Sequence, residues 1–316
     1  MNETTSLLEG VLVIIAIIFL TTILKKFKIL KKEDSKFFAN IVLKVTLPAI
    51  IFSTLALHTF NVEFLWMALI MATIELLILG LAWLIASLFK FNSGEKGALM
   101  LVSAFGMTSM LGYPLIQQIF PGNAMAIEEA VVTSEFGVGL LLFILGPLIA
   151  MIYGDAAVKG SAISRSVKQF FASPIFFALV FGFGMSFLPI NQTSFAFKTA
   201  TNFLSIVGAA NFLLVGFTIG LIIEFKRMSH VFLFMAIAVL LKLILKPVLA
   251  VVLTNSPEFT SMMREIVFIE TALPSAILTA VFAKQYNCRP DLVSMAIMVT
   301  LVLSVISVSG LFVAFF

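Results

Sequence analysis

The chain has 316 residues, of which 61% are hydrophobic and 11% are charged, with 34 phenylalanines and 15 methionines. A soluble domain of this length needs more polar surface, so the composition predicts an all-α integral membrane protein in a lipid bilayer. The net charge of +4 comes from short basic clusters between apolar runs. That arrangement is typical of cytoplasmic loops and argues against nucleic acid as a partner.

Residue types that often build cofactor sites are scarce. The single cysteine, Cys288, excludes an internal disulfide. The two histidines, His58 and His230, stand at the ends of apolar segments without the spacing of metal ligands. We therefore expect no metal and no cofactor. We also expect no enzyme activity, because no nucleophile or metal cluster lies in the apolar runs.

Apolar segments fill almost the whole chain. At about 20 residues per membrane span, they predict ten helices. Their approximate ranges are 6–25, 36–57, 63–89, 95–119, 127–152, 168–188, 195–223, 229–253, 260–284 and 290–316. No cleavage signature follows the first segment, so we expect it to be retained as a helix. The polar connection 153–167 divides the chain into two repeats of five helices, residues 1–152 and 168–316.

Basic residues alternate between the two sides of the predicted membrane. The clusters lie at 25–36, 90–96, 159–168, 226–227 and 284–289, all in odd-numbered connections, whereas Lys198 and Arg264 lie in even-numbered ones. The positive-inside rule then places both termini outside the cytoplasm, in a multi-pass protein of the plasma membrane. Because each half has an odd number of helices, the second half runs inverted relative to the first. This pairs helix four with helix nine and helix two with helix seven.

Helices four and nine carry breaks at their centres. Gly106, Gly112 and Pro114 lower the helix propensity of helix four, and Pro274 does the same in helix nine. Irregular backbone at membrane depth survives only inside protein or beside a polar cavity. We therefore expect both helices to be broken and to cross at one site. The half-helix N-termini there suit an anion.

The expected substrate-binding residues surround these breaks. They are Thr108, Ser109, Gly112, Pro114, Pro274 and Ser275, together with Asn211 in the stretch of helix seven that pairs with Leu47-Pro48-Ala49 of helix two. A hydroxyl in a helix often bonds only to its own helix carbonyl, and we expect that for the outlying Ser103 and Thr279.

Charged residues inside apolar spans form a second group, because each costs about 2.5 to 3.5 kcal/mol to insert. They are Glu75, Glu135, Glu270, Lys242 and Lys246. The two lysines, four residues apart, share one helix face and bias a cavity toward anions. Glu75 and Lys242 hold equivalent places in the two repeats, which leaves open a structural ion pair or a role in coupling. Glu270, one turn before Pro274, is the candidate carboxylate for coupling to H⁺ or Na⁺.

These motifs resemble the auxin efflux carrier family, which joins the plant auxin exporters with bacterial permeases for malate and malonate. From helix nine into the start of helix ten the resemblance lies in Ala272-Leu273-Pro274-Ser275, in Phe282-Ala283-Lys284-Gln285-Tyr286-Asn287 and in Pro290-Asp291. In helix four it lies in Thr108 and Gly112-Tyr113-Pro114. Leu47-Pro48 and the stretch Gly208 to Gly220 match helices two and seven more loosely.

The resemblance implies a scaffold of helices one, two, six and seven, often a homodimer, and a mobile transport domain of helices three to five and eight to ten. It also implies elevator-like transport of small organic anions. Met107 and Ser275 stand where the plant carriers have Asn and Gln, and the long central loop of the plant exporters is absent. These departures favour a short-chain acid of the bacterial branch, a mono- or dicarboxylate such as malate or malonate.

The alternative within transport is a sodium- or proton-coupled carrier of the bile-acid or sodium/proton antiporter type, which shares crossed broken helices. A non-transporting sensor is disfavoured because the chain offers no soluble output domain.

Overall fold

The computed structural model describes residues 3–57, 63–154, 168, 171–188, 194–222 and 231–316. Regular structure in those residues is helical, apart from one isolated antiparallel bridge between Gly106 and Ser275. The prediction of an all-α membrane protein is confirmed at this level. His58, His230, most of the connection 153–167 and the basic clusters at 159–168 and 226–227 lie largely outside the described residues.

The first half of the chain contains α-helices α1 to α8 and the π-helical segments π1 to π3. They are α1 (Glu3–Lys26), α2 (Asp34–Ile41), π1 (Val42–Thr46), α3 (Leu47–Leu57), α4 (Glu63–Leu88), α5 (Ser93–Ala104), π2 (Thr108–Gly112), α6 (Tyr113–Ile119), α7 (Ala124–Val132), π3 (Thr133–Gly139) and α8 (Leu140–Tyr153).

The second half contains α9 to α16 and π4. They are α9 (Pro174–Ser186), α10 (Phe195–Ala209), α11 (Asn211–Ile222), α12 (Phe232–Val239), π4 (Leu240–Leu245), α13 (Lys246–Leu253), α14 (Ser261–Ala272), α15 (Ile277–Gln285) and α16 (Pro290–Phe315).

Six helical runs among the described residues are long and apolar enough to cross a membrane. They are Asp34–Ala56, Phe64–Leu88, Ala124–Tyr153, Phe195–Leu221, Phe232–Leu253 and Pro290–Phe315. They match predicted spans two, three, five, seven, eight and ten. Span six corresponds to the shorter apolar helix α9, and spans four and nine are interrupted. The inverted repeat of ten helices stays a prediction.

Prolines account for most of the π-helical segments. Pro48, Pro114 and Pro247 each stand two residues after the end of π1, π2 or π4. A proline ring clashes with the carbonyl four residues earlier and cannot donate a hydrogen bond to it. In all three cases that carbonyl lies inside the π segment, where bonding to the fifth residue onward avoids the proline nitrogen. The prolines therefore widen the helix without ending it.

The chain divides into two compact units. The first unit comprises Met1–Val62, Tyr113–Val131 and Gln169–Ile223, and the second comprises Glu63–Gly112, Val132–Lys168 and Glu224–Phe316. Predicted spans one, two, six and seven fall in the first unit, but so do the end of span four and the start of span five. The predicted scaffold and transport domains stay a prediction.

Close helix contacts hold the first unit together. Helix α1 packs along α11, and α3 packs along α9 and α10. A Cβ at Gly216 would lie 2.4 Å from Ile17 Cγ2, and one at Gly220 would lie 2.7 Å from Thr21 Cβ. Small residues four apart let membrane helices approach closely, which is the packing seen here.

The second unit is built around α4, which packs against α5, π3 and α13. Helix α5 begins with a capping box in which Asn92 and Glu95 bond each other's backbone N–H groups. Helix α14 is capped at its N-terminus by Thr260, whose hydroxyl accepts from the backbone N–H of Met263. These caps fix the two helices whose far ends form the site described next.

Candidate functional site

The second unit contains two interrupted helices whose breaks bond to each other. Helix α5 ends at Ala104 and the chain resumes helical form at Thr108, while α14 ends at Ala272 and α15 begins at Ile277. The N–H of Met107 donates to Pro274 O, and the N–H of Ala276 donates to Phe105 O, both at 2.9 Å. Both predicted interruptions are present, and main-chain pairing satisfies backbone groups that hydrocarbon would leave unbonded.

The break in the first of these helices lies earlier than the sequence analysis placed it. It covers residues 105–107, so Gly106 is in it, whereas Gly112 ends π2 and Pro114 lies inside α6. The expectation that Gly112 and Pro114 interrupt the helix is therefore wrong. The widened π turn accommodates the proline, as it does at Pro48 and Pro247. Pro274 does stand in its break.

Two lysines cap the end of α5. Lys246 Nζ donates to Ala104 O at 2.5 Å, and Lys242 Nζ donates to the same carbonyl at 3.2 Å. In an unbroken helix this oxygen would bond to the N–H of Thr108. A helix C-terminus carries partial negative charge and unsatisfied carbonyls, which ammonium groups stabilise. Both lysines are fully buried, as expected for residues that face the interior.

A buried ion pair fixes one of these lysines. Lys246 Nζ lies 2.6 Å from Glu75 Oε1, and both side chains are fully buried. The sequence left open an ion pair between Glu75 and Lys242, and in the structure Glu75 pairs with Lys246 instead. Lys246 comes one turn later, beyond π4, and reaches both Glu75 and Ala104 O. Lys242 instead lies against Gly106, where an added Cβ would be 2.9 Å from its Nζ.

Hydroxyl groups and one carboxylate link π2 to π3. Ser134 Oγ donates to Thr108 Oγ1 at 2.5 Å, and Ser109 Oγ donates to Glu135 Oε1 at 2.6 Å. The oxygens of Ser109 and Ser134 are 3.2 Å apart. We call these four residues the hydroxyl chain. The structure thus brings together three predicted residues, Thr108, Ser109 and Glu135, with one that sequence reasoning missed, Ser134. The sequence did contain a signal for Ser134, namely the polar triplet 133–135 inside an apolar run.

Ser275 supports the break directly. Its Oγ donates to Val102 O at 2.6 Å, a carbonyl that would bond to Gly106 N in a continuous helix. Its N–H donates to Thr300 Oγ1 at 3.2 Å. Thr300, in the middle of α16, was not predicted, because a single threonine in an apolar helix carries no distinguishing signal. Of the two outlying hydroxyls, Thr279 bonds to Ala276 O as expected, whereas the hydroxyl of Ser103 has no partner among the described residues.

Glu270 lies close to the end of π2. It is fully buried in α14, and its Oε1 would be 3.8 Å from a Cβ added at Gly112. The same Cβ would lie 3.1 Å from Leu273 Cδ1. A side chain at position 112 would therefore crowd α14, which packs against π2. Glycine at this position lets the carboxylate approach the backbone.

Two predicted residues belong to the first unit and are not in this cluster. Pro114 is buried in α6. Asn211 is buried at the start of α11, where its Oδ1 accepts from Thr46 Oγ1 at 2.7 Å. Its amide nitrogen has no partner within the described part of the chain. A side-chain hydrogen bond therefore joins π1 to α11, while the symmetry pairing of helices two and seven stays a prediction.

Comparison with known proteins adds the family. The family described as membrane transport protein matches residues 6–155 and 160–312. The chain belongs to this family. Its sequence resemblance to the auxin efflux carriers is thereby confirmed, since this is the family of those carriers.

Two relatives of this membrane transport protein are archaeal. An uncharacterized transporter of Methanocaldococcus jannaschii is 25% identical over 312 residues, covering 96% of each chain. An uncharacterized transporter of Methanothermobacter thermautotrophicus is 25% identical over 307 residues, covering 95% of each. The similarity spans both units, so the interrupted helices and the hydroxyl chain fall within the shared region. Neither relative's name states a substrate.

Proposed function

We propose that the protein is a secondary transporter of small organic anions that works by alternating access. The observation that carries the proposal is the pair of main-chain-bonded breaks, Phe105–Met107 against Leu273–Ala276, in a chain of the membrane transport protein family. Irregular backbone at membrane depth is a costly feature. Transporters use such breaks to bind substrate at the bilayer midplane.

The charges around the breaks suit an anionic substrate. Two lysines, Lys242 and Lys246, and one carboxylate, Glu75, meet at the end of α5. The helical segments that resume after the breaks, π2 and α15, start with backbone N–H groups that lack helical acceptors. These groups carry partial positive charge and bind carboxylates readily. Thr108, at the start of π2, adds a hydroxyl.

The substrate that fits best is a short mono- or dicarboxylate such as malate or malonate. In this proposal Thr108, Ser109, Gly112, Pro274 and Ser275 shape the site. Ser275 acts through the backbone, because its hydroxyl is bonded to Val102 O. Pro114 and Asn211 lie in the first unit, and their role in binding stays a prediction. The mechanism would be elevator-like, with the plasma membrane as location, both termini outside the cytoplasm and a homodimer through the scaffold helices.

Glu270 is the proposed coupling group for H⁺ or Na⁺. It is the fully buried carboxylate against Gly112, and burial of an ionised carboxylate is expensive unless a cation accompanies it. A carrier that moves an anion against its gradient needs such a cation to supply the driving force.

Transport in liposomes tests the proposal. Purified protein is reconstituted and uptake of radiolabelled malate, malonate and a panel of other short acids is measured while pH and Na⁺ gradients are imposed. We expect saturable uptake of at least one acid, accelerated by a cation gradient. Cation movement without any acid in the panel would instead support a carrier of the sodium/proton antiporter type.

The coupling role has its own variant. Glu270→Gln should retain equilibrium exchange of the acid but lose gradient-driven accumulation. Glu265→Gln, the same change five residues earlier in α14, is the matched control because Glu265 is also buried. Unchanged accumulation in Glu270→Gln would remove the coupling role while leaving the transporter assignment in place.

A further inference from the structure

In the hydrogen-bond directions that the structure records, one contact of the hydroxyl chain holds no hydrogen. A hydroxyl group carries one hydrogen that it can donate. With Glu135 ionised, Ser109 gives its proton to Glu135 and Ser134 gives its proton to Thr108. No proton is then left for the contact between Ser109 Oγ and Ser134 Oγ at 3.2 Å. Two oxygens in the middle of the chain face each other through lone pairs.

One added proton fills this contact while Ser134 keeps donating to Thr108. If it binds to Glu135, the carboxylic acid donates to Ser109, Ser109 donates to Ser134, and Ser134 donates to Thr108. Each of the three oxygen–oxygen contacts then holds one hydrogen, and no atom other than the added proton enters. Thr108 Oγ1 accepts from Ser134 in this arrangement, so its own hydrogen is available to another acceptor.

The ionised chain has a second arrangement, since hydroxyl hydrogens rotate. Thr108 can donate to Ser134, Ser134 to Ser109, and Ser109 to the carboxylate. All three contacts again hold a hydrogen, but Thr108 now presents only lone pairs to the break. The two filled arrangements differ by one proton at Glu135 and by the direction of every hydrogen bond between it and Thr108.

We propose that protonation of Glu135 switches Thr108 from a hydrogen-bond acceptor to a donor at the break, so that the site binds an anion together with a proton. This inference rests on the proposed function and deepens it. Thr108 is the first helical residue after the break. A carboxylate can only accept hydrogen bonds, so it is favoured beside a donating Thr108 and disfavoured beside its lone pairs. The proton and the anion therefore strengthen each other's binding.

Burial makes the switch effective. Thr108, Ser134 and Glu135 are all nearly inaccessible, at 3%, 1% and 3% exposure, so bulk water has little access to the hydrogen bonds between them. Ser109 is the half-buried member. The carboxylate also lies close to the backbone of Gly139, where an added Cβ would be 3.1 Å from Glu135 Oε2.

The elements next to π2 and π3 carry several ionisable groups. Helix α4, which packs against π3, carries Glu75, and that carboxylate is paired with Lys246. Glu63 is at the start of α4. Helix α8, which continues from π3, has Tyr153 at its end, and α7 before π3 carries Glu128 and Glu129. Segment π2 has no ionisable group, and Glu270 lies on α14 beyond it.

Proton uptake on binding tests the switch. Calorimetric titration of the purified full-length protein with malonate or malate, in two buffers of different ionisation enthalpy at mildly alkaline pH, gives the number of protons bound per anion. We expect up to about one for the wild-type protein, as linkage requires. In Glu135→Gln the side-chain amide can donate to Ser109 at every pH. This variant should bind the anion without taking up a proton at position 135, and its affinity for the anion should no longer fall as pH rises.

The matched control is Thr133→Ala. Thr133 neighbours Ser134 on π3, is fully buried, and its hydroxyl has no partner among the described residues. Its loss should leave proton uptake at the wild-type value. Ser134→Ala, which removes the middle of the chain, should abolish the uptake, and Ser134→Thr should restore it.

The outcomes separate the two proposals. Anion binding with equal proton uptake in wild type and Glu135→Gln overturns the switch and leaves the transporter assignment intact, as does a requirement for Na⁺ in place of the proton. If no acid in the panel binds, the proposed function fails. Infrared difference spectra between acid and alkaline pH test separately whether Glu135 takes up the proton. A protonated carboxyl band that disappears in Glu135→Gln and shifts in Ser109→Ala supports the chain, and its absence in wild type overturns it.

Discussion

Each unit contains a place where two predicted partner helices meet, and the two places are built differently. In the second unit the helices are broken, and polar groups replace the lost helical bonds. Ser275 bonds Val102 O, two lysines bond Ala104 O, and Ala276 N bonds Phe105 O. In the first unit α10 gives way to α11 at Ala210, with Leu214 N still bonded to Ala210 O. One hydrogen bond, from Thr46 to Asn211, joins the helices there.

The difference shows what a break at membrane depth requires. The second unit collects two buried lysines and a buried glutamate around one helix end. The first unit relies on apolar contact, since a Cβ at Gly208 would lie 2.9 Å from Ile50 Cγ1. We therefore expect stability in the second unit to depend on charge and in the first unit on packing.

Breaking the ion pair should have the largest effect. Glu75→Ala leaves the buried ammonium of Lys246 without its counter-ion, and loss of one partner of a buried pair costs about 3 to 5 kcal/mol. The expected result is a strong fall in the unfolding temperature, or loss of monodisperse protein, in fluorescence-detected size-exclusion chromatography of the detergent-solubilised protein.

The double variant Glu75→Ala with Lys246→Met separates charge from capping. It removes the unpaired charge but leaves Ala104 O to Lys242 alone, so its stability should lie between that of Glu75→Ala and wild type. If the double variant is as unstable as Glu75→Ala, the unpaired charge of Lys246 is not the cause of the instability.

The sequence predicted the breaks because their causes are local. Glycine and proline inside apolar runs are visible without a structure, and both interrupted helices were found by them. The same prolines also explain where the prediction was wrong. Pro114 was read as a breaker, but a proline in a membrane helix can be absorbed by a π turn four residues before it, as at Pro48 and Pro247. A sequence alone does not distinguish these two responses.

The partners across the break could not be predicted for a different reason. Glu75 pairs with Lys246 rather than Lys242, and Ser275 bonds Thr300 and Val102. These choices depend on the rotation of one helix against another, which the π4 segment alters. Ser134 could have been predicted, because a serine next to a glutamate in an apolar span needs a hydrogen-bond partner when it is buried.

Removing the hydroxyl of Ser275 should have a smaller effect than breaking the ion pair. Ser275→Ala leaves Val102 O without its donor inside the membrane, and an unsatisfied buried group costs about 1 to 3 kcal/mol. Ser103→Ala is the control, because that hydroxyl is equally buried on α5 but has no partner among the described residues. In thermal unfolding, Ser275→Ala should lower the midpoint while Ser103→Ala leaves it nearly unchanged. Equal midpoints for the two variants would contradict the role of Ser275 in satisfying the break.

The smallest effect is expected in the first unit. Thr46→Val keeps the shape of the side chain and removes the donor to Asn211 Oδ1, at a cost of about 1 kcal/mol, the usual net value of one neutral hydrogen bond. Replacing both partners, with Thr46→Val and Asn211→Leu together, should recover part of that loss, because no buried polar group is then left unpaired. Thermal unfolding of the single and double variants in the same detergent measures this coupling. A double variant clearly less stable than Thr46→Val would mean that Asn211 stabilises the first unit through contacts other than Thr46. In that case, polar bonding would matter as much there as it does at the broken helices.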